Sequence, residues 1–295
     1  MENERNNVNR EYKDRLFKLV FREKEDLLNL YNAVGGTDYD NPEDLEINTL
    51  EDAVYMGMKN DISFLFQSIL SLYEHQSTYS PNLPLRGLFY FADLYRKMIA
   101  GKDEDLYSSR RIRVPFPKFV IFYNGTKKQP ERHTLHLHDA YPKGIPGSNP
   151  EDAALDCHAE VLNINYGHNR EIMKKCRKLE EYSIFIGKVR EKLNRKMPLR
   201  EAIDRAVDEC IKEGILEKIL RENREEVCSV LLSEYDEQAH IESEKEIARE
   251  EGREEGREEV NTLYQKLKED NRVEDLLRAV DDAGYRNQLL KEYGL

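Results

Sequence analysis

The sequence predicts an α/β domain up to about Lys196, followed by a helical region. Amphipathic segments alternate with short runs of β-branched and aromatic residues in the first part, and after Asn169 the pattern stays helical. Charged residues make up 35% of the chain and hydrophobic residues 39%. That composition provides for one core but not for 295 closely packed residues, so part of the chain is expected to be a charged, non-core segment.

The N-terminal elements follow from apolar spacing and turn residues. An amphipathic helix is predicted over Asn9–Tyr31 and ended by Gly35-Gly36. A loop is expected over Asp38–Asp44. Extended structure is predicted over Leu45–Phe66, with a second strand at Ile69–Gln76.

A proline-rich turn at Pro81–Pro84 introduces the middle of the domain. A helix is predicted over Leu85–Ala100, closed by Gly101. The strands predicted after it are Phe116–Tyr123, which ends at a turn signal, Thr134–His138 and Ala159–Ile164.

The balance of basic and acidic residues differs between the first and last parts of the chain. Residues 1–196 carry 30 basic and 30 acidic side chains, whereas residues 197–295 carry 16 and 28. We therefore expect the α/β domain to span 1–196 and a helical extension to span 197–241. A charged low-complexity helix or linker is expected at 242–262, and a helical hairpin at 263–295.

Several classes of protein are excluded. No apolar run reaches the roughly 18 residues of a membrane span, and we expect no secretory signal, because the N-terminal segment has no apolar stretch after its charges. The four cysteines are far apart, as in a cytoplasmic protein with reduced thiols.

Two stretches are rich in Lys and Arg, namely Tyr107–His133 and Arg170–Lys196. Each is either a surface for a polyanion such as DNA or a solvated charged face.

One predicted β-hairpin contains carboxylates that could form a catalytic metal site. If its strands pair about a turn at Gln67-Ser68, Asp61 faces Glu74, and Gln76 lies on the same side of the sheet. Like charges in that position repel unless a cation lies between them or one acid keeps its proton. Oxygen ligands select Mg²⁺ or Mn²⁺, which would favour metal-assisted phosphodiester hydrolysis. In the alternative, both acids lie at strand ends in solvent.

The same residues resemble a known family. Asp61 followed by Glu74-x-Gln76 is similar to the D…E-x-K/Q core of the PD-(D/E)xK nuclease superfamily. The wider sequence resembles the Rpn-type family of recombination-promoting nucleases and transposases, over about Tyr12 to Arg257. The segments that carry this resemblance are Asp14-x-x-Phe17-Lys18, Leu72–Thr78, Pro81–Leu88, Phe122–Gly125 and the Glu-Gly-Arg-rich segment near the C-terminus.

The resemblance implies a restriction-endonuclease-like core with a central mixed sheet flanked by helices, and Mg²⁺-dependent DNA endonuclease activity linked to recombination or mobile elements. Asp61 and Glu74 would hold the metal. Gln76 would stand where the superfamily has lysine, and offers a neutral amide in place of a charge. The accessory residues considered are Asp14 near the metal, Lys59 as a replacement charge and Arg86 as a DNA phosphate ligand.

Two main alternatives remain open, and a third, a purely helical scaffold, would require the β-rich centre to be misassigned. The chain is either such an endonuclease or a catalytically silent protein of the same fold that binds DNA or a protein partner. The C-terminal hairpin could pair two chains into a homodimer. His75 is predicted to serve packing or hydrogen bonding, and a transition-metal site at His136 and His138 lacks a third ligand at a suitable spacing.

Overall fold

A mixed β-sheet is the centre of the protein. The computed structural model describes residues 15–47, 61–102, 105–147 and 149–295. The chain divides into two units, residues 1–234 and 235–295, and the sheet belongs to the first.

The sheet has six strands among the described residues. In chain order they are β1 Glu46–Ile47, β2 Ile62–Phe66, β3 Ile69–Gln76, β4 Phe116–Tyr123, β5 Arg132–His136 and β6 His158–Asn163. Their order across the sheet is β1-β2-β3-β4-β6-β5. β4 runs parallel to β3 and β6, and the other neighbours are antiparallel.

Helices make up most of the rest. They are α1 Arg15–Val20, α2 Lys24–Gly35, α3 Leu83–Ala100, α4 Arg170–Lys175, α5 Arg177–Asn194, α6 Leu199–Glu213, α7 Glu217–Glu222, α8 Arg224–Glu269, α9 Val273–Asp281 and α10 Ala283–Glu292. Short 3-10 turns occur at Pro42–Asp44, Leu137–Ala140 and Pro150–Asp152. The predicted α/β class, with a central mixed sheet, flanking helices and a C-terminal helical extension, is confirmed.

Helix α3 covers one face of the sheet. The apolar residues shared by this helix and the strands beneath it are Leu70, Leu72, Tyr90, Phe91, Leu94, Phe119, Ile121, Ala159 and Val161. Gly87 permits the close approach, because a Cβ atom there would lie 2.4 Å from the ring of Phe119. The helix thereby brings its first turns close to β3.

Helices α1, α2 and α5 cover the other face with aromatic side chains. Phe17 of α1 packs against His75 of β3, Phe122 of β4 and Tyr182 of α5, with ring centroids 5.1 to 5.7 Å apart. Tyr31 of α2 packs against the strand β2. The inner strands β2, β3, β4 and β6 are therefore largely buried on both faces, as their nearly continuous apolar sequences require.

Several element boundaries differ from the sequence expectation. The predicted Asn9–Tyr31 helix is two helices in the described part, α1 and α2, because the apolar repeat is interrupted at Lys24. Helix α3 begins two residues early, since Pro84 in its first turn forfeits no intrahelical hydrogen bond. Of the extended segment Leu45–Phe66, residues 48–60 lie outside the described residues.

Different contacts stabilise the helical extension after residue 196 and the C-terminal helices. Residues just after 196 belong to the first unit, where Lys192 of α5 and Glu209 of α6 form an ion pair 2.6 Å long. The charged low-complexity segment lies within α8. In the second unit, α9 and α10 share a small core with the end of α8, formed by Leu263, Leu267, Ala279 and Leu289.

None of the helices in the described ranges combines the length and the apolar composition needed to cross a lipid bilayer.

Candidate active site

The hairpin β2–β3 places two carboxylates side by side. Gln67 and Ser68 both have positive φ, 46° and 68°, which makes a tight two-residue turn, and Phe66 pairs with Ile69 across it. The pairing continues to Ile62 with Tyr73, so the predicted register is confirmed. Asp61 precedes β2, and its backbone N lies 3.3 Å from Oε1 of Glu74.

Both acids are buried. Asp61 is 2% exposed and Glu74 is 0% exposed. By strand alternation Glu74 shares the sheet face that α3 covers, since Leu70 and Leu72 also point that way. The alternative in which the acids lie at strand ends in solvent is therefore wrong. Two carboxylates about 5 Å apart at an effective dielectric constant near 20 repel by about 3 kcal/mol, so something must offset this cost.

Among the described residues, two cations and two backbone amides, one of them the Asp61 amide given above, offset this repulsion. Nη2 of Arg86 donates to Oε2 of Glu74 at 3.3 Å. Nζ of Lys18 lies 3.7 Å from Oδ1 of Asp61, and the backbone N of His75 donates to Oδ2 of Asp61 at 2.7 Å. The guanidinium contact is a hydrogen-bonded ion pair, whereas the half-exposed Lys18 makes a longer and more easily broken one.

Tyr90 fixes the position of Arg86 one helical turn away. Its hydroxyl accepts from Nη2 of Arg86 at 3.0 Å. Burial alone would lower the pKa of Arg86, but the charge of Glu74 and the contacts with Tyr90 raise it above its ordinary value. Burial, reinforced by Glu74, also raises the pKa of the Tyr90 hydroxyl. Arg86 is thus a fixed positive charge beside the acids.

Gln76 is the last residue of β3, two positions beyond Glu74 on the same face. Its side chain is half-buried, and its backbone O accepts from the backbone N of Asn124 at 2.9 Å. At this end of the sheet, Nη1 of Arg190 from α5 donates to Oδ1 of Asn124 at 2.7 Å and to Oδ1 of Asn165 at 2.6 Å. A second arginine therefore lies near the carboxyl ends of β3 and β4.

The outcome differs among the other residues that the sequence analysis singled out. Asp14 and Lys59 lie outside the described residues. Arg86 was expected to touch DNA phosphate, and the structure places it on Glu74. The packing prediction for His75 is confirmed: its side chain lies on the opposite face, with Nε2 2.8 Å from the Tyr182 hydroxyl.

Sequence reasoning missed two cations as site residues. Lys18 lies in the motif Asp14-x-x-Phe17-Lys18, and that motif is the sequence signal that points to it. Arg190 lies in a basic stretch where no single position stands out, and only the fold brings it to Asn124.

The exposed basic loop before β4 lies away from the acids. Arg110, Arg111 and Arg113 are exposed and precede the start of β4, whereas Glu74 is level with Ile121, near the end of that strand. Lys127 and Lys128, also exposed, follow the end of β4. Of these two exposed basic loops, the one after β4 is therefore nearer to the acids along the strands.

A surface depression of about 850 Å³ lies elsewhere, among helices α2, α5 and α7 and their neighbours. Its lining includes Asp26, Lys178 and Arg221 but neither acid of the hairpin. The depression mixes both signs of charge and is not the candidate site.

No family model, no curated protein and no solved structure matches this chain. The resemblance to Rpn-type nucleases therefore depends on the motifs, and the geometry of the hairpin is the independent observation that bears on function.

Proposed function

We propose that the protein is a metal-dependent DNA endonuclease that hydrolyses phosphodiester bonds, linked to recombination or mobile elements as its motifs suggest. The single observation that supports this most is the buried, adjacent pair Asp61 and Glu74. A fold gains no stability from two like charges in this position, which makes the pair a candidate for a functional rather than a structural role.

The donor set suits a hard divalent cation. Both side chains offer oxygen only, and Mg²⁺ or Mn²⁺ prefers one or two carboxylates with water completing its shell. The Lys18 contact at 3.7 Å is loose enough to give way to such an ion. When bound, the ion would lower the pKa of a coordinated water and stabilise negative charge on the phosphate.

The chain's own residues would position the substrate. Arg86 keeps Glu74 oriented, and because its side chain is 36% exposed, its guanidinium can also reach a phosphate oxygen. The amide of Gln76 can hydrogen-bond the attacking water but cannot supply the positive charge of a lysine. Lys127 and Lys128 would contact the flanking phosphates.

Cleavage of supercoiled plasmid tests the proposal. We expect nicking or cutting that requires Mg²⁺ or Mn²⁺ and falls at least about 100-fold in Asp61→Asn and Glu74→Gln, because each change removes a metal ligand. Asp93→Asn and Glu43→Gln are matched surface controls and should cleave normally. Equal cleavage in the site variants and the controls would refute the assignment.

A catalytically silent protein of the same fold, binding DNA or a protein partner, is the second candidate. It is favoured by the contacts of Arg86 and Lys18, which already neutralise both acids, and by Gln76 in place of lysine. It requires salt-sensitive DNA binding with no strand breaks in Mg²⁺ or Mn²⁺. Measuring binding and cleavage on the same samples separates the two candidates.

The second unit supports a proposal for assembly. On α9, Val273, Leu277 and Val280 are 52%, 62% and 53% exposed and recur at helical spacing. We assign this stripe to pairing with a second copy, which would supply the second active site that cutting both strands needs. Leu277→Glu should then convert a dimer to a monomer in light scattering, and an unchanged mass would contradict this assignment.

The free cysteine thiols support a proposal for the cellular compartment of the protein. Cys157, Cys176, Cys210 and Cys228 are all free thiols, and burial raises the pKa of each above its ordinary value. Free thiols, three of them buried, suit a reducing compartment, and we propose the cytoplasm.

A further inference from the structure

A cluster of histidines surrounds one aspartate at the outer edge of the sheet. His136 is the last residue of β5 and pairs directly with His158, the first residue of β6. Asp156 lies two residues before His158, and His138 lies in the 3-10 turn that follows β5. The additional ligands that the sequence could not supply are therefore Asp156 and His158, which lie 20 and 22 residues after His136 in the chain.

The side-chain nitrogens converge on one carboxylate oxygen. Oδ2 of Asp156 lies 2.8 Å from Nε2 of His158, 2.9 Å from Nδ1 of His138 and 3.7 Å from Nδ1 of His136. The ligating atoms of His136, Asp156 and His158 all lie within 4.8 Å of one another. In a tetrahedral zinc site with bonds of about 2.0–2.1 Å, ligand atoms are roughly 3.3 Å apart. That separation lies between the distances from Asp156 Oδ2 to the nitrogens of His158 and His136.

His136 provides an independent indication. Its Nδ1 is buried and makes no hydrogen bond to any of the residues that the structure describes. A buried imidazole nitrogen without a hydrogen bond costs free energy, and coordination to an ion at this point would relieve that cost. The ring centroids of His138 and His158 each lie 4.6 Å from that of His136, so the rings form one group.

The cluster is separate from the acid pair. Strand β4 and strand β6 lie between Glu74 on β3 and His136 on β5. By strand alternation the cluster residue His158 points to the face opposite Ala159 and Val161, and therefore away from the face that carries Glu74. From strand spacing and rise, the Cα atoms of Glu74 and His158 are on the order of 14 Å apart.

We propose that His136, Asp156 and His158 bind a divalent transition-metal ion of the zinc class, with His138 orienting the Asp156 carboxylate. Two imidazoles and one carboxylate are ligands for Zn²⁺ rather than Mg²⁺. His138 has the role of the hydrogen-bonding partner that metal-binding carboxylates ordinarily have. With His158 61% exposed, the fourth position is open to solvent.

The ion would join the two ends of a long connection. Residues 137–157 link β5 to β6, and the ligands come from both ends of that segment. Binding would hold the edge strand β5 against β6 and stabilise the folded state by mass action.

Zinc titration of the full chain tests the proposal. After EDTA treatment and dialysis, we expect the protein to bind one equivalent of Zn²⁺ by calorimetry and its melting temperature to rise with zinc. His136→Ala and His158→Ala should abolish both effects. His138→Ala should weaken binding about 10- to 100-fold, as loss of an orienting partner does. Because His158 is exposed at a strand end, His158→Ala should fold even if His136→Ala does not.

Two controls make the test specific. His168→Ala removes a histidine outside the cluster and should bind zinc as the unmodified chain does. Asp61→Asn should also bind zinc normally, which separates this site from the proposed nuclease site. Zinc binding that survives in both His136→Ala and His158→Ala, or no binding at micromolar zinc, would overturn the proposal and leave the cluster as a set of hydrogen bonds.

Discussion

The substitution Asp61→Asn should make the protein more stable in the absence of metal. It removes a repulsion of about 3 kcal/mol between adjacent buried carboxylates. The contacts described for Asp61 that the substitution weakens are together worth less than this repulsion. The contact with half-exposed Lys18 is worth about 0–1 kcal/mol, and the hydrogen bond from the backbone N of His75 weakens by about 1 kcal/mol when its acceptor becomes neutral.

The net gain is about 1–2 kcal/mol, or roughly 3–6 °C in melting temperature for a unit of this size. Magnesium should reverse the order of the two melting temperatures. At a concentration one hundred times its dissociation constant, an ion bound only by the folded state adds about 2.7 kcal/mol, and only the unmodified chain can gain it. The variant is thus expected to melt above the unmodified protein in EDTA and at or below it in Mg²⁺.

Thermal melts with and without Mg²⁺ measure both effects, and Asp93→Asn on the surface of α3 serves as the isosteric control. If Asp61→Asn melts below the unmodified chain in EDTA, then Lys18 and Arg86 already compensate the acids, and the silent-protein reading is favoured. A magnesium shift that persists in the variant would place the ion elsewhere.

Three further predictions concern the hairpin and the helix above it. Gly87→Ala should destabilise the protein by about 1–3 kcal/mol in urea unfolding, because the new Cβ would lie 2.4 Å from the Phe119 ring. Ser68→Gly should stabilise it by about 0.5–1 kcal/mol in the same assay, because the turn requires φ of 68° there. Arg86→Met should destabilise it by about 2–3 kcal/mol by leaving Glu74 without its guanidinium, and adding Glu74→Gln should recover most of that loss.

Each of these has a contradicting result. An unchanged midpoint in Gly87→Ala would mean that α3 can move away from the sheet at little cost. A less stable Ser68→Gly would mean that the serine side chain contributes more than the turn geometry. Additive effects in the Arg86 and Glu74 double variant would mean that the two side chains do not interact.

The sequence by itself determined the local geometry of the hairpin. Strand alternation and a two-residue turn fix the register, so Asp61 and Glu74 could be paired from their positions alone, and the structure agrees. The bounds of β4, Phe116–Tyr123, were also predicted, because a dense β-branched and aromatic run ends at an Asn-Gly turn. These features depend on residues that are close in the chain.

Only the tertiary structure decided what surrounds those acids. Arg86 reaches Glu74 because α3 packs closely over the sheet at Gly87, and Lys18 reaches Asp61 because α1 packs on the other face. Helix–sheet packing of this kind depends on side chains far apart in sequence, which no local period encodes.

The histidine cluster shows the same limit. His136 could be seen in the sequence, but its partners on β6 became neighbours only through antiparallel pairing across residues 137–157. Strand pairing over so long a connection depends on the whole sheet, in which β6 lies between β4 and β5. Local pattern thus specified the acid pair, and long-range strand order specified the candidate zinc ligands.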